Sequence, residues 1–259
     1  MAGLFERRRR DAQIKETQNS ILTDASPWQV QEAYKALRTN IIFSMPGNDC
    51  KVIAFTSAFS HDGKSINCLN CAISFGQIGK KVLLIDCDMR LPTIAKKLGI
   101  AGTPGISDIL AGEAQFGTTL HKDTVHGIHV LPAGNLPPDP TWLLQSDQMN
   151  SLLELMRKYY DYIFIDLPPV TTVTDAAIMS KYVDGYLLIV RHQVTEYRAI
   201  SDMIGQLRLA GAKIVGFVYN DAHNEGGQYY HRYYRYYSYG DRSEEESSSK
   251  RSEKKASKQ

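Results

Sequence analysis

Six short apolar runs recur along the chain, and each is followed by small or polar residues. Runs of this length suit strands that are buried on both faces of a sheet. Stretches with helical periodicity separate several of them, most clearly over residues 141–159 and 197–209. The predicted strands are Val52–Phe55, Val82–Asp86, His129–Gly134, Tyr162–Asp166, Gly185–Val190 and Ile214–Tyr219. This alternation predicts an α/β fold with a mostly parallel central sheet and helices on both faces.

A helix is also predicted before the first strand. Ser26 suits its N-cap and Pro27 its first helical position. Its apolar face consists of Val30, Ala33, Tyr34, Leu37 and Ile41. A further helix follows Ser65 and is expected to end at Gly79, whereas residues 92–127 indicate a mixed insertion of helices and loops.

The composition indicates one soluble domain. The chain has 259 residues, 43% of them hydrophobic, so it can bury a sizeable core, and its net charge of +2 says little about partners. The cysteines at positions 50, 68, 71 and 87 suit reduced thiols in the cytosol. The Cys68-x-x-Cys71 pair is interpreted as helix packing, because no second pair is present. No apolar run approaches the roughly 18 to 20 residues that span a bilayer, so we expect a cytoplasmic protein.

The two ends differ in composition from the domain between them. Residues 1–26 are predicted to form a flexible basic arm, in which Arg7–Arg10 are either solvated or in contact with anionic lipid headgroups. The domain is placed at residues 27–222 and a disordered charged tail at residues 241–259.

Residues 223–240 contain a dense cluster of tyrosines. Seven of the chain's fifteen tyrosines lie there: Tyr229, Tyr230, Tyr233, Tyr234, Tyr236, Tyr237 and Tyr239. Tyrosines interleaved with arginines suit stacking on single-stranded nucleic acid. Beside a nucleotide site, they also suit the acceptance of phosphate, so both interpretations stay open on this pattern alone.

The segment Lys51–Ser65 predicts a phosphate-binding loop. A short apolar strand leads into small and polar residues that end in Gly63-Lys64-Ser65. In such a turn the backbone N–H groups surround phosphates, the lysine reaches their oxygens and the hydroxyl ligates Mg²⁺. The first glycine of the usual pattern is replaced by Ala58, which is also small.

Acidic residues follow two other predicted strands. Asp86 and Asp88 come at the end of one strand, and Asp166 ends another. Because parallel strands present their carboxyl ends at one edge of the sheet, we expect these carboxylates beside the phosphate loop. There they suit holding Mg²⁺ or accepting a proton from an attacking hydroxyl.

The elements EAYKALRTN, TSAFSHDGKS, LLIDCDMR and YIFIDLPP, followed by the tyrosine cluster, carry a family resemblance. In this order they resemble the bacterial tyrosine kinases of capsule and exopolysaccharide synthesis, within the MinD/ParA-like superfamily of P-loop ATPases. The resemblance covers about residues 28–240. It implies transfer of the γ-phosphoryl group of ATP to tyrosine, with autophosphorylation of the tyrosine cluster in trans.

The resemblance also implies a role for each motif residue. Lys64 would contact the β and γ phosphates, and Ser65, Asp88 and Asp166 would hold Mg²⁺. Asp86 would be the candidate base for the incoming tyrosine hydroxyl, and Lys64 and Asp88 would be catalytic residues together with it. The implied nucleotide contacts are Asp62, Gly63, Lys64, Ser65, Ile66 and Asn220.

Partners are implied by the same resemblance. Glu32, Lys35 and Arg38 match a helix that packs subunits of relatives into a ring, although Lys35 replaces the usual arginine. The loop also departs from the family's pattern at Ser60-His61-Asp62. A separate membrane activator protein is expected to hold the kinase at the inner face of the cell membrane. Other protein substrates are expected, and no specific nucleic acid.

The alternative is a MinD/ParA-type partition or site-selection ATPase. Those proteins carry a second lysine five residues before the main one, and Phe59 occupies that position here. The missing lysine and the tyrosine cluster favour the kinase interpretation. A nucleic-acid-binding module is disfavoured, because net charge is small and no broad basic face is evident.

Overall fold

A computed structural model describes residues 20–222 of the chain, and the described residues up to Asp221 belong to one compact unit. Residues 1–19 and 223–259 lie outside the described residues. The tyrosine cluster, the charged tail and most of the expected basic arm therefore stay predictions.

Seven strands form one sheet. They are β1 (Lys51–Ser57), β2 (Val82–Asp86), β3 (His121–Asp123), β4 (Ile128–Leu131), β5 (Tyr162–Asp166), β6 (Gly185–Arg191) and β7 (Ile214–Asn220). Their order across the sheet is β3-β4-β2-β5-β1-β6-β7. All neighbours are parallel except β3 and β4. The predicted fold class is thus confirmed, and β3 was missed because His-Lys-Asp carries no apolar signal.

Nine α-helices connect or flank the strands within residues 20–222. They are α1 (Trp28–Ser44), α2 (Lys64–Gly76), α3 (Ile94–Leu98), α4 (Ile106–Leu110), α5 (Phe116–Thr119), α6 (Pro140–Leu144), α7 (Asp147–Met156), α8 (Asp175–Ile178) and α9 (Tyr197–Leu209). A short 3₁₀ turn, Met179–Lys181, follows α8.

The helices bury both faces of the sheet. Along β1, Val52 and Ala54 pack in one core with α7 and α9, whereas Ile53 and Phe55 pack in the other with α2. Alternate residues of a strand point to opposite faces, so each strand contributes to two cores. This explains why the strand sequences are apolar throughout.

The first helix differs in detail from its prediction. It begins at Trp28, and the Ser26 hydroxyl accepts the Thr23 N–H at 3.0 Å instead of capping the helix. Of the five residues on the predicted apolar face only Ile41 is buried, and Val30 remains 37% exposed. The α1 helix therefore lies at the margin of the core.

Two residues of the expected arm pack against the domain. Ile21 and Leu22 are buried in the core that contains α2. The Leu22 N–H donates to Asn70 Oδ1 of α2 at 2.8 Å. Two apolar residues without periodicity gave no helix or strand signal, so the sequence pattern placed them in the flexible arm.

The helix predicted over residues 141–159 is instead two helices. The first ends at Leu144, and α7 starts after Ser146, whose Oγ accepts the Met149 N–H at 3.3 Å. Serine competes with helical backbone bonding and favours a cap, which explains the break. The α2 helix ends at Gly76, and Gly79, at φ +77°, takes part in the turn beyond it.

Candidate active site

The predicted site residues meet at the carboxyl edge of the sheet. Strand β5 lies between β1 and β2, so the phosphate loop after β1 and the acids at the ends of β2 and β5 are adjacent. Asp86 and Asp166 are register partners on neighbouring strands. The convergence expected from parallel strand ends is therefore present.

The phosphate loop is closed by its own side chains. Asp62 Oδ2 accepts the Phe59 N–H at 2.9 Å, and the methyl group of Ala58 is buried. Ala58 thus fills the position of the usual first glycine without exposing apolar surface. Burial raises the pKa of Asp62, and its Oδ1 has no hydrogen-bond partner within residues 20–222.

Gly63 is required by the loop geometry. Its φ is +97°, a conformation that residues with a side chain rarely adopt. A Cβ there would lie 2.1 Å from Asn220 Nδ2. That amide nitrogen donates to the Asp62 carbonyl at 2.9 Å, so the end of β7 supports the loop.

Lys64 lies at the centre of the buried charges. Its Nζ is 2.6 Å from Asp88 Oδ2, 3.6 Å from Asp166 Oδ1 and 3.1 Å from Ser65 Oγ. Burial acts to lower the pKa of Lys64, but the carboxylates of Asp166 and Asp88 outweigh it and raise the pKa. The ammonium group therefore remains charged in the site.

Asp86 combines burial with three backbone contacts. Its Oδ2 accepts the N–H groups of Thr93 and Ile94 at 3.2 and 3.1 Å, and its Oδ1 accepts that of Asp88 at 3.2 Å. Burial, and then the charge of Asp166, raise the pKa of Asp86 to about 8. The carboxyl group thus anchors the start of α3 and has a proton affinity in the range of a base that works near neutral pH.

Asp166 fits a magnesium ion. It is fully buried, and neither carboxylate oxygen has a hydrogen-bond partner within residues 20–222. That stretch holds no group of three or more His, Cys, Asp or Glu side chains arranged for a metal. Mg²⁺ usually needs only one or two carboxylates, with water and substrate phosphates completing its shell. Ser65, Asp88 and Asp166 supply the hard oxygen donors that it prefers.

A cavity of about 240 Å³ opens in front of these groups. Gly63, Lys64, Ser65, Ile66 and Asp88 line it, all predicted from the sequence. Lys97 of α3 also lines it and was not predicted, because a lysine in a loop-rich insertion carries no motif. His61, at φ +70°, forms part of the wall, so two residues of the loop variation, Ser60 and His61, face the cavity.

A larger cavity of about 620 Å³ lies at the opposite edge of the sheet. Val82, at the start of β2, and Tyr160, just before β5, are among its lining residues. None of the residues predicted for the nucleotide site lines it. Volume alone therefore does not mark the candidate active site, which rests on the clustered charges and the phosphate loop.

Two further contacts brace the site and were missed by motif analysis. Arg90 holds the buried Asp175 of α8 through two hydrogen bonds of 3.1 Å. Asn67 of α2 donates to the Gly63 carbonyl at 2.9 Å and accepts the Tyr34 hydroxyl of α1 at 3.1 Å. The pairing of Asp175 with Arg90 depends on a fold contact that sequence spacing does not show.

The residues predicted for the oligomer interface lie apart from the cavity, on α1. Lys35 Nζ is 2.7 Å from Glu32 Oε1, and both side chains are partly solvent-exposed. Arg38 donates instead to the Ser74 carbonyl of α2. Glu32 and Lys35 therefore form a partly exposed ion pair, whereas Arg38 attaches α1 to α2.

Known proteins resemble the chain in sequence. Residues 50–212 match the model of an AAA domain family. The tyrosine-protein kinase CpsD of Streptococcus agalactiae serotype III (strain NEM316) is 34% identical over 202 residues, which cover 78% of this chain and 86% of that protein.

Solved structures extend the comparison to the fold. The kinase domain of the Escherichia coli tyrosine kinase ETK is 31% identical, with a TM-score of 0.69, covering 75% of this chain and 78% of that one. The septum site-determining protein MinD of Pyrococcus horikoshii OT3, complexed with Mg-ADP, is 23% identical, with a TM-score of 0.54. The matched region covers 65% of this chain and 69% of the MinD chain. At this identity the likeness shows a shared fold and nothing more. Because the chain is more than 30% identical to both CpsD and ETK and covers most of each, it belongs to the bacterial tyrosine-protein kinases, which are built on a P-loop nucleotide-binding fold.

Proposed function

We propose that the protein binds Mg-ATP in the 240 Å³ cavity and transfers the γ-phosphoryl group to its own tyrosine cluster, residues 229–239, in trans. The observation that carries this proposal is the buried cluster in which Lys64 lies 2.6 Å from Asp88 and 3.6 Å from Asp166, with Asp86 alongside. Phosphoryl transfer requires positioning and charge neutralisation more than covalent chemistry, and the cluster supplies both.

In this mechanism the phosphate loop and Lys64 orient the nucleotide. The tyrosine oxygen bonds to the γ-phosphorus while the bond to the β–γ bridging oxygen breaks, and ADP leaves. The proton of the tyrosine hydroxyl passes to a carboxylate oxygen of Asp86. Mg²⁺ held by Ser65, Asp88 and Asp166 would neutralise phosphate charge.

Assembly and regulation belong to the same proposal. Glu32, Lys35 and Arg38 would contribute to a ring in which one subunit's tail enters its neighbour's site, and phosphorylated tails would favour dissociation through charge repulsion. Trp28 and Phe43, on the same helix, are 52% and 79% exposed, which supports α1 as a contact surface. The ring would regulate capsule or exopolysaccharide synthesis and export.

A membrane activator protein is part of this proposal. Every helix in residues 20–222 is too short or too polar to cross a bilayer. The activator's cytosolic segment would hold the kinase at the inner face of the membrane and promote ATP binding. Other proteins with accessible tyrosines would be additional substrates.

The test is detection of phosphotyrosine after incubation of the full chain with Mg-ATP, with and without the activator's cytosolic segment. Lys64→Met should abolish the signal, whereas Lys80→Met, at an exposed site, should retain it. Replacement of the seven cluster tyrosines by Phe should remove the signal and leave ATP binding intact. A signal that persists in Lys64→Met, or in the seven-Phe variant, would refute the assigned site or the assigned acceptors.

A further inference from the structure

Lys97 is a half-buried cation on the wall of the nucleotide cavity. It lies in α3, whose first backbone N–H groups are held by Asp86. The Lys97 N–H donates to the Thr93 carbonyl at 3.0 Å, so its backbone is fixed relative to the carboxylate cluster. The helix thus carries a lysine into the lining of the cavity.

Lys97 has no direct ion-pair partner in the described part of the chain. No ion pair or side-chain hydrogen bond of Lys97 occurs within residues 20–222, whereas Lys64 is paired with Asp88 and Arg90 with Asp175. Burial lowers the pKa of Lys97, and the charge of Asp166 opposes that effect. A half-buried ammonium group without a partner costs free energy, which binding of an anion would recover.

We propose that Lys97 is a second phosphate-binding cation that contacts the γ-phosphate of the bound nucleotide. This inference rests on the proposed use of ATP. Three carboxylates and one lysine leave the cluster negative, and a triphosphate adds further negative charge. Lys97 lies on α3, the helix whose first backbone N–H groups are held by Asp86, and Asp86 is the proposed base at the γ-phosphorus. The γ-phosphate should therefore depend on it more than the β-phosphate does.

The test compares Lys97→Met with Lys96→Met, a neighbour whose side chain is exposed. Calorimetry measures the affinities for ADP and for a non-hydrolysable ATP analogue at one fixed Mg²⁺ concentration. If Lys97 makes a charge-assisted contact, Lys97→Met should weaken binding of the ATP analogue by about 10- to 100-fold and binding of ADP by less than about 3-fold. Lys96→Met should match the parent protein. An equal loss for both nucleotides, or no loss, overturns the proposal.

Two further measurements separate this role from a structural one. Lys97→Met should raise the melting temperature of the nucleotide-free protein, because it removes an unpaired buried charge. Lys97→Arg should retain the preference for the ATP analogue, and loss of that preference would contradict the proposal. Failure of the parent protein to phosphorylate its tail would refute the proposed function, yet the nucleotide preference would still be measurable.

Discussion

Two sets of charged residues behave differently in this protein, although both match motifs in the sequence. Lys64, Asp86, Asp88 and Asp166 are buried and joined across strand ends. On α1, by contrast, Glu32 and Lys35 form a local, partly exposed pair. The fold itself fixes the first set, whereas the second set stays partly exposed within residues 20–222.

The energetic consequences of the two sets differ accordingly. Removing one partner of a buried ion pair leaves an uncompensated charge, at a cost of about 3–5 kcal/mol. An exposed pair three residues apart on a helix contributes about 0–1 kcal/mol. Substitutions in the two sets should therefore differ sharply in how much they lower the free energy of unfolding of the isolated subunit.

The largest effect is expected for Asp86→Asn. Loss of a general base should slow tyrosine phosphorylation by about 10²- to 10⁴-fold, while ADP affinity stays within a few-fold of the parent value. Rates of phosphotyrosine formation and calorimetry with ADP measure the two properties. Glu113→Gln, at an exposed position, is the control. Loss of nucleotide affinity together with activity would instead assign Asp86 to positioning α3.

A large effect on nucleotide binding is expected for Gly63→Ala. The new Cβ would meet Asn220 Nδ2 at 2.1 Å, in addition to the strain at φ +97°. Gly112→Ala is a matched control, because Gly112 has φ +79° and open space around the added Cβ. We expect Gly63→Ala to reduce ADP affinity by at least about 10-fold, equivalent to the loss of one good hydrogen bond. Gly112→Ala should leave ADP affinity unchanged.

The double variant Gly63→Ala with Asn220→Ala sharpens this test. Because Asn220 is itself an implied nucleotide contact, the reference for the double variant is the single variant Asn220→Ala. Removing the Asn220 amide relieves the close contact but not the backbone strain, so the double variant should bind ADP somewhat more weakly than Asn220→Ala does. Equal affinity of these two variants would show that steric contact alone constrains Gly63, and a loss as large as that of Gly63→Ala alone would show that backbone conformation does.

A smaller effect separates the residues of α1. Arg38→Ala loses the bond to the Ser74 carbonyl, so the free energy of unfolding should fall by about 1–2 kcal/mol in urea titrations of dilute protein. Lys35→Ala breaks only the exposed pair with Glu32 and should cost less than about 1 kcal/mol. Light scattering at high concentration should show weaker self-association in both variants. Unchanged association in both would contradict the proposed ring surface.

The smallest effect concerns a titratable group distant from both sets. Burial, and then Lys122, lower the pKa of His129 below its ordinary value of 6.5. The unfolded chain therefore binds a proton more readily, so His129 should reduce stability as the pH falls through 6.5. NMR titration of the ring protons should report the lowered pKa. Lys122→Gln should raise it toward 6.5, and an unchanged value would leave burial as the sole cause.

The sequence predicted those features that depend on strand ends. Apolar runs located six of the seven strands, and the acids that follow β2 and β5 were expected beside the phosphate loop for a geometric reason. Features set by tertiary contact were not predictable, because they depend on packing rather than on spacing. Lys97, the burial of Ile21 and the contact of Asn67 with Gly63 are of this kind.

Two serines, Ser146 and Ser26, show that local features also depend on the surrounding structure. Both serines suit a helix N-cap, yet only Ser146 serves as one. Each serine hydroxyl can bond to several neighbouring backbone groups, and the packing of the surrounding chain determines which of these bonds forms.

The chain of contacts from Tyr34 through Asn67 to Gly63 connects the outer helix to the loop that surrounds phosphate. Only two side chains separate α1 from the Gly63 carbonyl. If self-association through α1 changes nucleotide affinity along this path, linkage requires that nucleotide change the self-association constant by the same factor. The kinase would then report its nucleotide state as a change in assembly, and Asn67→Ala would uncouple the two equilibria.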